Sequence, residues 1–205
     1  MIPKIPKILH HIWVGPKAPP LHWMSTWPRL HPTWRYVTWN DETVFRRPWR
    51  NQRLVNAYAD RAEWRGVADV IRYEILHEQG GFMPGADSEC LRPVDELLTE
   101  PGITAYAVYE NEAAAPGLIT PVYAAKPGAA FLEAMIRKVS EASAGEPWRC
   151  VGNLLMQSTY EAREWPDVRV WPSWMLNPEH YTGAVYRGPE QPYARQHWGS
   201  TKGRY

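Results

Sequence analysis

The chain is short of several things that would place it quickly. Of its 205 residues only two are cysteine, Cys90 and Cys150. That is too few for the disulfide framework of a small secreted scaffold, and both are expected to be reduced thiols in or near the core. No stretch approaches the roughly 18 apolar residues of a membrane-spanning helix. The opening Met1-Ile2-Pro3-Lys4-Ile5-Pro6-Lys7 lacks the apolar block of a secretory leader, so the expectation is a cytoplasmic protein with no membrane span. Neither sign of charge is in excess: 23 Lys and Arg face 22 Asp and Glu, and no overall basic field marks a nucleic-acid binder. G-x-S-x-G, the phosphate-binding P-loop and G-x-G-x-x-G are all missing, which removes the usual hydrolase, NTPase and dinucleotide signatures. His10, His11, His22, His31, His77 and His180 do not have the spacing of a structural zinc site. Phenylalanine is scarce at 3, against 12 Trp and 11 Tyr. Trp and Tyr carry a polar edge that Phe lacks, so they suit sugars and bases as well as a core.

What is there alternates between strand and helix patterns, and the length fits one domain over 1–205. Lys7 to Val14 is rich in strand formers and stops at Gly15-Pro16. After a Pro- and Trp-rich connection with one helical turn near Ser25, Trp34 to Trp39 alternates as a second strand. Arg46 to Arg53 reads as a basic, aromatic-interleaved loop. From Asp60 to Gln79 the residues Trp64, Val67, Ala68, Ile71, Ile75 and Leu76 recur every three or four positions, the stripe of an amphipathic helix, and Gly80 stands at its C-terminal cap. A third strand runs through Phe82 and Met83, with Pro84 awkward for a central ladder. A short helix over Arg92 to Leu98 follows, then strands at Ile103 to Tyr109 and Leu118 to Ala124. Helices at Ala129 to Ala142 and Cys150 to Glu161, a last strand at Val168 to Trp171 and a loop-like tail from Asn177 complete the pattern. Such alternation indicates an α/β fold with a largely parallel sheet.

Candidate chemistry gathers at three places. Asp69 and Arg72 share one helix face. They form either a surface ion pair or a pair that holds sugar hydroxyls and phosphate. Asp87 and Glu89 alternate along an extended segment beyond the third strand, where carboxylates suit Mg²⁺ or Mn²⁺ with nucleotide phosphates or simply cap the next turn. His197 lies in an aromatic, glycine-bearing tail. Arg46, Arg47 and Arg50 are candidate phosphate or acceptor contacts, or a solvated face.

Taken in order, these blocks resemble glycosyltransferase family 32, the DXD-type sugar transferases, with the catalytic domains of the large glucosylating toxins as distant relatives. Ile5-Pro6-Lys7-Ile8-Leu9-His10-His11-Ile12-Trp13-Val14-Gly15 is similar to the family's opening I-P-K-x-I-H-x-I-W-x-G. Trp34 to Asp41 is similar to W-x-Y-x-x-W-x-D, and Ala68-Asp69-Val70-Ile71-Arg72-Tyr73-Glu74-Ile75-Leu76 to A-D-x-x-R-Y-x-x-L. Gly80-Gly81 through Cys90 aligns with G-G-x-Y-x-D-x-D-x-E-C, and His197-Trp198-Gly199-Ser200 with the family's ending. The resemblance implies a GT-A fold: a Rossmann-like, mostly parallel central sheet flanked by helices. It also implies a UDP- or GDP-sugar donor, a divalent metal (Mn²⁺, or Mg²⁺) and transfer with retention of configuration. By position, Trp13 would stack on the donor's base, with Ile12, Ala86 and Asn153 beside the donor. Asp69 and Arg72 would hold the donor sugar, Asp87 would bind the metal, and His197 would meet the metal or the diphosphate. Asp69, Arg72 and Asp87 are thus the implied catalytic residues. Two positions depart from the pattern: the first Asp of the DXD motif is Gly85, and the motif's Tyr is Met83. The expectation is therefore an active transferase of altered donor preference, or a weakened relative that binds nucleotide-sugar or glycan. A glycan, a protein, a lipid-linked group or a hydroxymethylated DNA base are all open as acceptor.

Overall fold

A computed structural model of the protein describes residues 5–199 and 201–203. In chain order the elements are β1 (Ile8–Ile12), α1 (Leu21–Met24), α2 (Thr26–Leu30), β2 (Arg35–Trp39), α3 (Asp41–Phe45), α4 (Gln52–Asp60), α5 (Trp64–Gln79), β3 (Gly81–Phe82) and β4 (Ser88–Cys90). There follow a 3₁₀ turn (Asp95–Leu98), β5 (Ala105–Asn111), β6 (Ala115–Ile119), β7 (Ala124–Ala125), α6 (Ala130–Glu141), α7 (Pro147–Cys150), α8 (Asn153–Glu161), β8 (Val168–Trp171), a second 3₁₀ turn (Ser173–Met175) and β9 (Ala194–Gln196). The main sheet has 7 strands in the order β2-β1-β3-β7-β5-β6, with β8 paired to β5. β1, β2, β3, β5 and β8 run one way, and β7 and β6 the other. A mostly parallel sheet with helices over it is the α/β arrangement the alternation pointed to.

The core lies on both faces of this sheet. On one face α5 buries Val67, Val70, Ile71, Ile75 and Leu76 against Leu132, Met135 and Val139 of α6. Each such aliphatic side chain contributes about 1.5–3 kcal/mol when taken out of water. On the other face Trp27, Trp34, Phe82, Val94, Tyr106 and Leu176 form a second cluster. Two buried side chains tie the elements together. His10 accepts the Trp39 indole N–H on Nδ1 at 3.2 Å. Its Nε2 must then carry the proton, which it gives to the Gly80 carbonyl at 2.9 Å. Burial holds this imidazole neutral, pushing its pKa down to about 4. Glu74, inside α5, accepts the backbone N–H groups of Arg50 and Asn51 and so anchors the approach to α4.

Gly80 and Gly81 have φ of +64° and +102°, a region that side chains with a Cβ avoid. They let α5 end and turn at once into β3. Pro84 lies beyond β3, so no ladder donor is lost there. Several expected boundaries shift. The supposed loop Arg46 to Arg53 ends at Asn51, because α4 begins at Gln52. α3 and α4 were not anticipated, and the helix expected from Asp60 starts at Trp64. The helix expected over Arg92 to Leu98 is only a 3₁₀ turn. The strand expected over Leu118 to Ala124 is two, β6 and β7, and the helix expected over Cys150 to Glu161 is broken at Gly152 into α7 and α8. The tail from Asn177 contains β9, which alternation over three residues is too brief to reveal. Cys90 and Cys150 are both free thiols. Ser200 of the C-terminal block lies outside the described residues.

Candidate active site

The parallel strands β1, β3 and β5 point their carboxyl ends to one edge of the sheet, the edge where open α/β sheets bind ligands. Trp13 follows β1, the Gly85–Asp87 turn follows β3, and Glu110 ends β5. Helix α5 runs back from this edge, and its first residue, Trp64, packs its ring on Gly15. Asp69 is therefore in the half of α5 nearer the edge, and Arg72 is at its middle. Tyr123 joins the group: burial pushes its phenol up to about 12, and it feels the charges of Arg72, Asp87 and Glu110.

Asp69 is half-buried on α5. Desolvation pushes its carboxyl from 3.8 up to about 6, against the pull of Arg72 and Arg65. The turn between α7 and α8 presses on it: a Cβ placed on Gly152 would lie 3.1 Å from Asp69 Oδ2 and 2.9 Å from the Trp148 Cα. The Tyr73 hydroxyl fixes that turn by donating to the Val151 carbonyl at 3.0 Å. Arg72 reaches the end of β3. Its Nη1 donates to the Met83 carbonyl at 2.8 Å and to the Val122 carbonyl at 3.2 Å, while its Nε is buried without a partner. Part of the guanidinium therefore braces the strand end from which the Asp87 turn departs.

Asp87 is held by the C-terminal tail. β9 pairs antiparallel with β4, setting Gln196 opposite Ser88. Gln196 Nε2 donates to Asp87 Oδ1 at 2.6 Å, and the Gly199 N–H to Oδ2 at 2.8 Å. Trp198 takes φ of +55° to bring Gly199 there, an uncommon conformation for a bulky residue. Its indole N–H on the Glu179 carbonyl and its ring against Tyr181 hold it in place. His197 is adjacent in the chain, but its backbone N–H, not its imidazole, reaches Asp87, at the carbonyl oxygen. The His197 ring stacks on Trp23 at 4.4 Å and gives Nε2–H to Glu89 at 3.1 Å.

Among the described residues no three His, Cys, Asp or Glu side chains converge as a metal-ligand set. The oxygens at hand are the Asp87 carboxylate, which accepts from Gln196 Nε2, and Gln196 Oε1 at the other end of that amide, buried with no hydrogen-bond partner. These are hard oxygens of the kind Mg²⁺ and Mn²⁺ take, and such ions are commonly held by one or two carboxylates plus substrate phosphates. Oxygens of this kind fit a cation whose remaining ligands would come from a nucleotide diphosphate.

Other expected residues fall as follows. Ile12 is buried at the end of β1, and Trp13, half-buried, donates its indole N–H to the Lys17 carbonyl at 2.7 Å. Ala86 forms the turn before Asp87. Asn153 opens α8 next to Gly152, so it stands close to Asp69, but its amide is bonded to Glu110. Arg46, Arg47 and Arg50 are not brought to the cleft. They pair with Glu42, Glu78 and Glu133, and Glu78 is nine residues beyond Asp69, about 14 Å down the helix. Sequence reasoning missed Glu110 and His180, a buried pair at 3.0 Å that joins β5, α8 and the tail. A carboxylate at the end of an expected strand was the available signal. Gln196 was also missed.

The mostly parallel sheet with helices over it is the arrangement of the GT-A glycosyltransferase fold. The family described as glycosyltransferase sugar-binding region containing DXD motif matches residues 22–103, and the resemblance drawn from the motifs is borne out. The chain is 28% identical over 193 residues to inositol phosphoceramide mannosyltransferase 3 of Schizosaccharomyces pombe (strain 972 / ATCC 24843), covering 86% of this chain and 51% of that protein. It is 33% identical over 103 residues to inositol phosphoceramide mannosyltransferase 2 of the same organism, covering 48% of this chain and 30% of that one. The chain thus spans about half the length, or less, of these curated relatives. Among solved structures, PaToxG glycosyltransferase matches with a TM-score of 0.61 at 12% identity, covering 78% of this chain and 70% of that one, a likeness of fold.

Proposed function

We propose that this chain transfers a hexosyl group, mannosyl in the first instance, from a UDP- or GDP-sugar to an acceptor hydroxyl with retention of configuration. The observation that carries the reading is Arg72 of α5 bonded to the Met83 carbonyl at the strand end from which the Asp87 turn departs, with Asp69 one turn earlier on the same helix. In this reading Trp13 stacks on the base, and Ile12 and Ala86 line its approach. Asp69, ionised above pH 6, accepts hydroxyls of the donor sugar and fixes its orientation. Arg72 braces the strand end and adds positive potential where the diphosphate leaves. A divalent cation, Mn²⁺ or Mg²⁺, supplies when bound neutralisation of the departing diphosphate. The Gly199 N–H and Gln196 amide keep Asp87 in one rotamer, so little reorganisation remains for the reaction. The names of the relatives suggest an inositol-phosphate-type headgroup hydroxyl as acceptor. Trp148 and Leu154, exposed on either side of Gly152, offer apolar contact to the part of an acceptor that does not react.

The test is release of nucleotide, with and without inositol-headgroup acceptors, from a panel of UDP- and GDP-sugars at fixed Mn²⁺. Turnover with GDP-mannose or another donor is expected. Ligand-dependent thermal stabilisation with no turnover would convert the reading to a binding relative, and neither response would remove it.

A further inference from the structure

We propose that Gln196, packed beside Gly85, is a second protein ligand of the cation site, its Oε1 binding the cation while its Nε2 positions Asp87. The proposal rests on the transferase reading above and deepens it. A carboxylate oxygen only accepts hydrogen bonds, so the Gln196 amide must turn its NH₂ toward Asp87 Oδ1, where it donates at 2.6 Å. That fixes the other end: Oε1 points away, buried and without a partner. An acceptor oxygen left this way costs free energy unless a donor or cation answers it.

The space around it is informative. A Cβ at Gly85 would lie 3.1 Å from Gln196 Oε1, 3.6 Å from its Nε2 and 3.1 Å from Asp87 Oδ1. A methyl at position 85 would press on the amide, which would have to give by a few tenths of an ångström, and a longer side chain would contend with Gln196 for the same space. β9 makes this possible, because its pairing with β4 sets Gln196 opposite Ser88, immediately after the turn. The exchange puts a neutral amide oxygen in place of an anionic side chain at 85. The site loses one negative charge and depends more on the nucleotide's phosphates to hold the ion.

Mn²⁺ binding by the whole chain, read from loss of the free-ion EPR signal in the presence of UDP or GDP, tests this without turnover. Gln196→Ala is expected to raise the Mn²⁺ Kd about 10-fold, the lower end of what losing a ligand's support costs. Gln196→Glu should tighten binding. In a Gly85→Asp background the incoming carboxylate displaces the amide, so Gln196→Ala should then change Kd by less than about 3-fold, a non-additivity a double-mutant cycle reads directly. Far-UV circular dichroism of each variant verifies that it is folded. Equal effects of Gln196→Ala in both backgrounds, or wild-type affinity in folded Gln196→Ala, would overturn the proposal alone. Weaker binding by Gln196→Glu would leave Gln196 as a positioning residue only and overturn its assignment as a ligand. A wild-type chain that binds no Mn²⁺ with either nucleotide overturns the cation part of the transferase reading as well.

Discussion

Replacing Asp69 by Asn should make the protein more stable at neutral pH while removing its transfer activity. The Asp69 carboxyl titrates near 3.8 in an unfolded chain and is raised to about 6 by burial in the fold. Between these values the folded state binds more protons than the unfolded one, so stability falls as pH rises through the window. Above pH 6 the whole penalty is present, and below about 3.8 none of it is. Roughly two pK units at 1.36 kcal/mol each set an upper limit of about 3 kcal/mol. Because Asp69 is only half-buried by accessible surface, about 1–2 kcal/mol is the realistic share. For a chain of this length that is a rise of about 2 to 8 °C in Tm at pH 7. The gain should shrink to a small remainder by pH 4. The assay is thermal unfolding of both proteins by circular dichroism from pH 4 to 8, with donor turnover measured beside it. A destabilised Asp69→Asn at pH 7, or a gain independent of pH, would show that Asp69 is a satisfied structural carboxylate and refute the reasoning. The predicted combination marks a group kept at a cost to stability for its function.

Other substitutions probe the supports of the cleft. Gly152→Ala sets a methyl 2.9 Å from the Trp148 Cα and 3.1 Å from Asp69 Oδ2. It should lower stability by about 1–3 kcal/mol in denaturant titration and raise the donor KM more than a remote change of equal cost. His180→Ala leaves Glu110 buried with only Asn153 beside it, and should cost about 3 kcal/mol by the same measurement. Changing Arg46, Arg47 and Arg50 together to Gln breaks exposed ion pairs worth little each. It should leave donor turnover unaltered, and lost turnover would bring this surface into the mechanism.

The parts of the fold set by local pattern were legible in the sequence. The 3.6-residue stripe of α5 gave the helix that carries Asp69 and Arg72, and the Gly80-Gly81 pair gave its abrupt end. β8 was read at its observed limits because its four residues are bounded by clear turns. Short helices were not legible: α3 has only five residues and runs straight into a stretch of Arg, Pro and Trp, α4 starts just after that stretch, and its approach is anchored by Glu74, a contact distant in sequence. The same holds for the site. Asp69 and Asp87 stood out by residue type and order, but their surroundings are tertiary. Nothing local indicates that Gln196 reaches Asp87 across 109 residues, that His197 turns its ring to Trp23 and Glu89, or that Asn153 is bonded to Glu110. The basic loop looked like a phosphate surface because its charges were visible in the sequence and the partners Glu78 and Glu133 were not.

The central claim is that Asp87 and its neighbours form a working nucleotide-sugar site despite glycine at position 85. The most direct measurement is nucleotide release from the preferred sugar donor by the wild-type chain and by Asp87→Asn, at saturating Mn²⁺ and pH 7. The account predicts steady release by the wild type and a loss of about 100-fold or more in the variant, as for removal of one strong electrostatic contact at a reacting centre. Equal rates for the two proteins, or no release by the wild type from any UDP- or GDP-sugar, would contradict it.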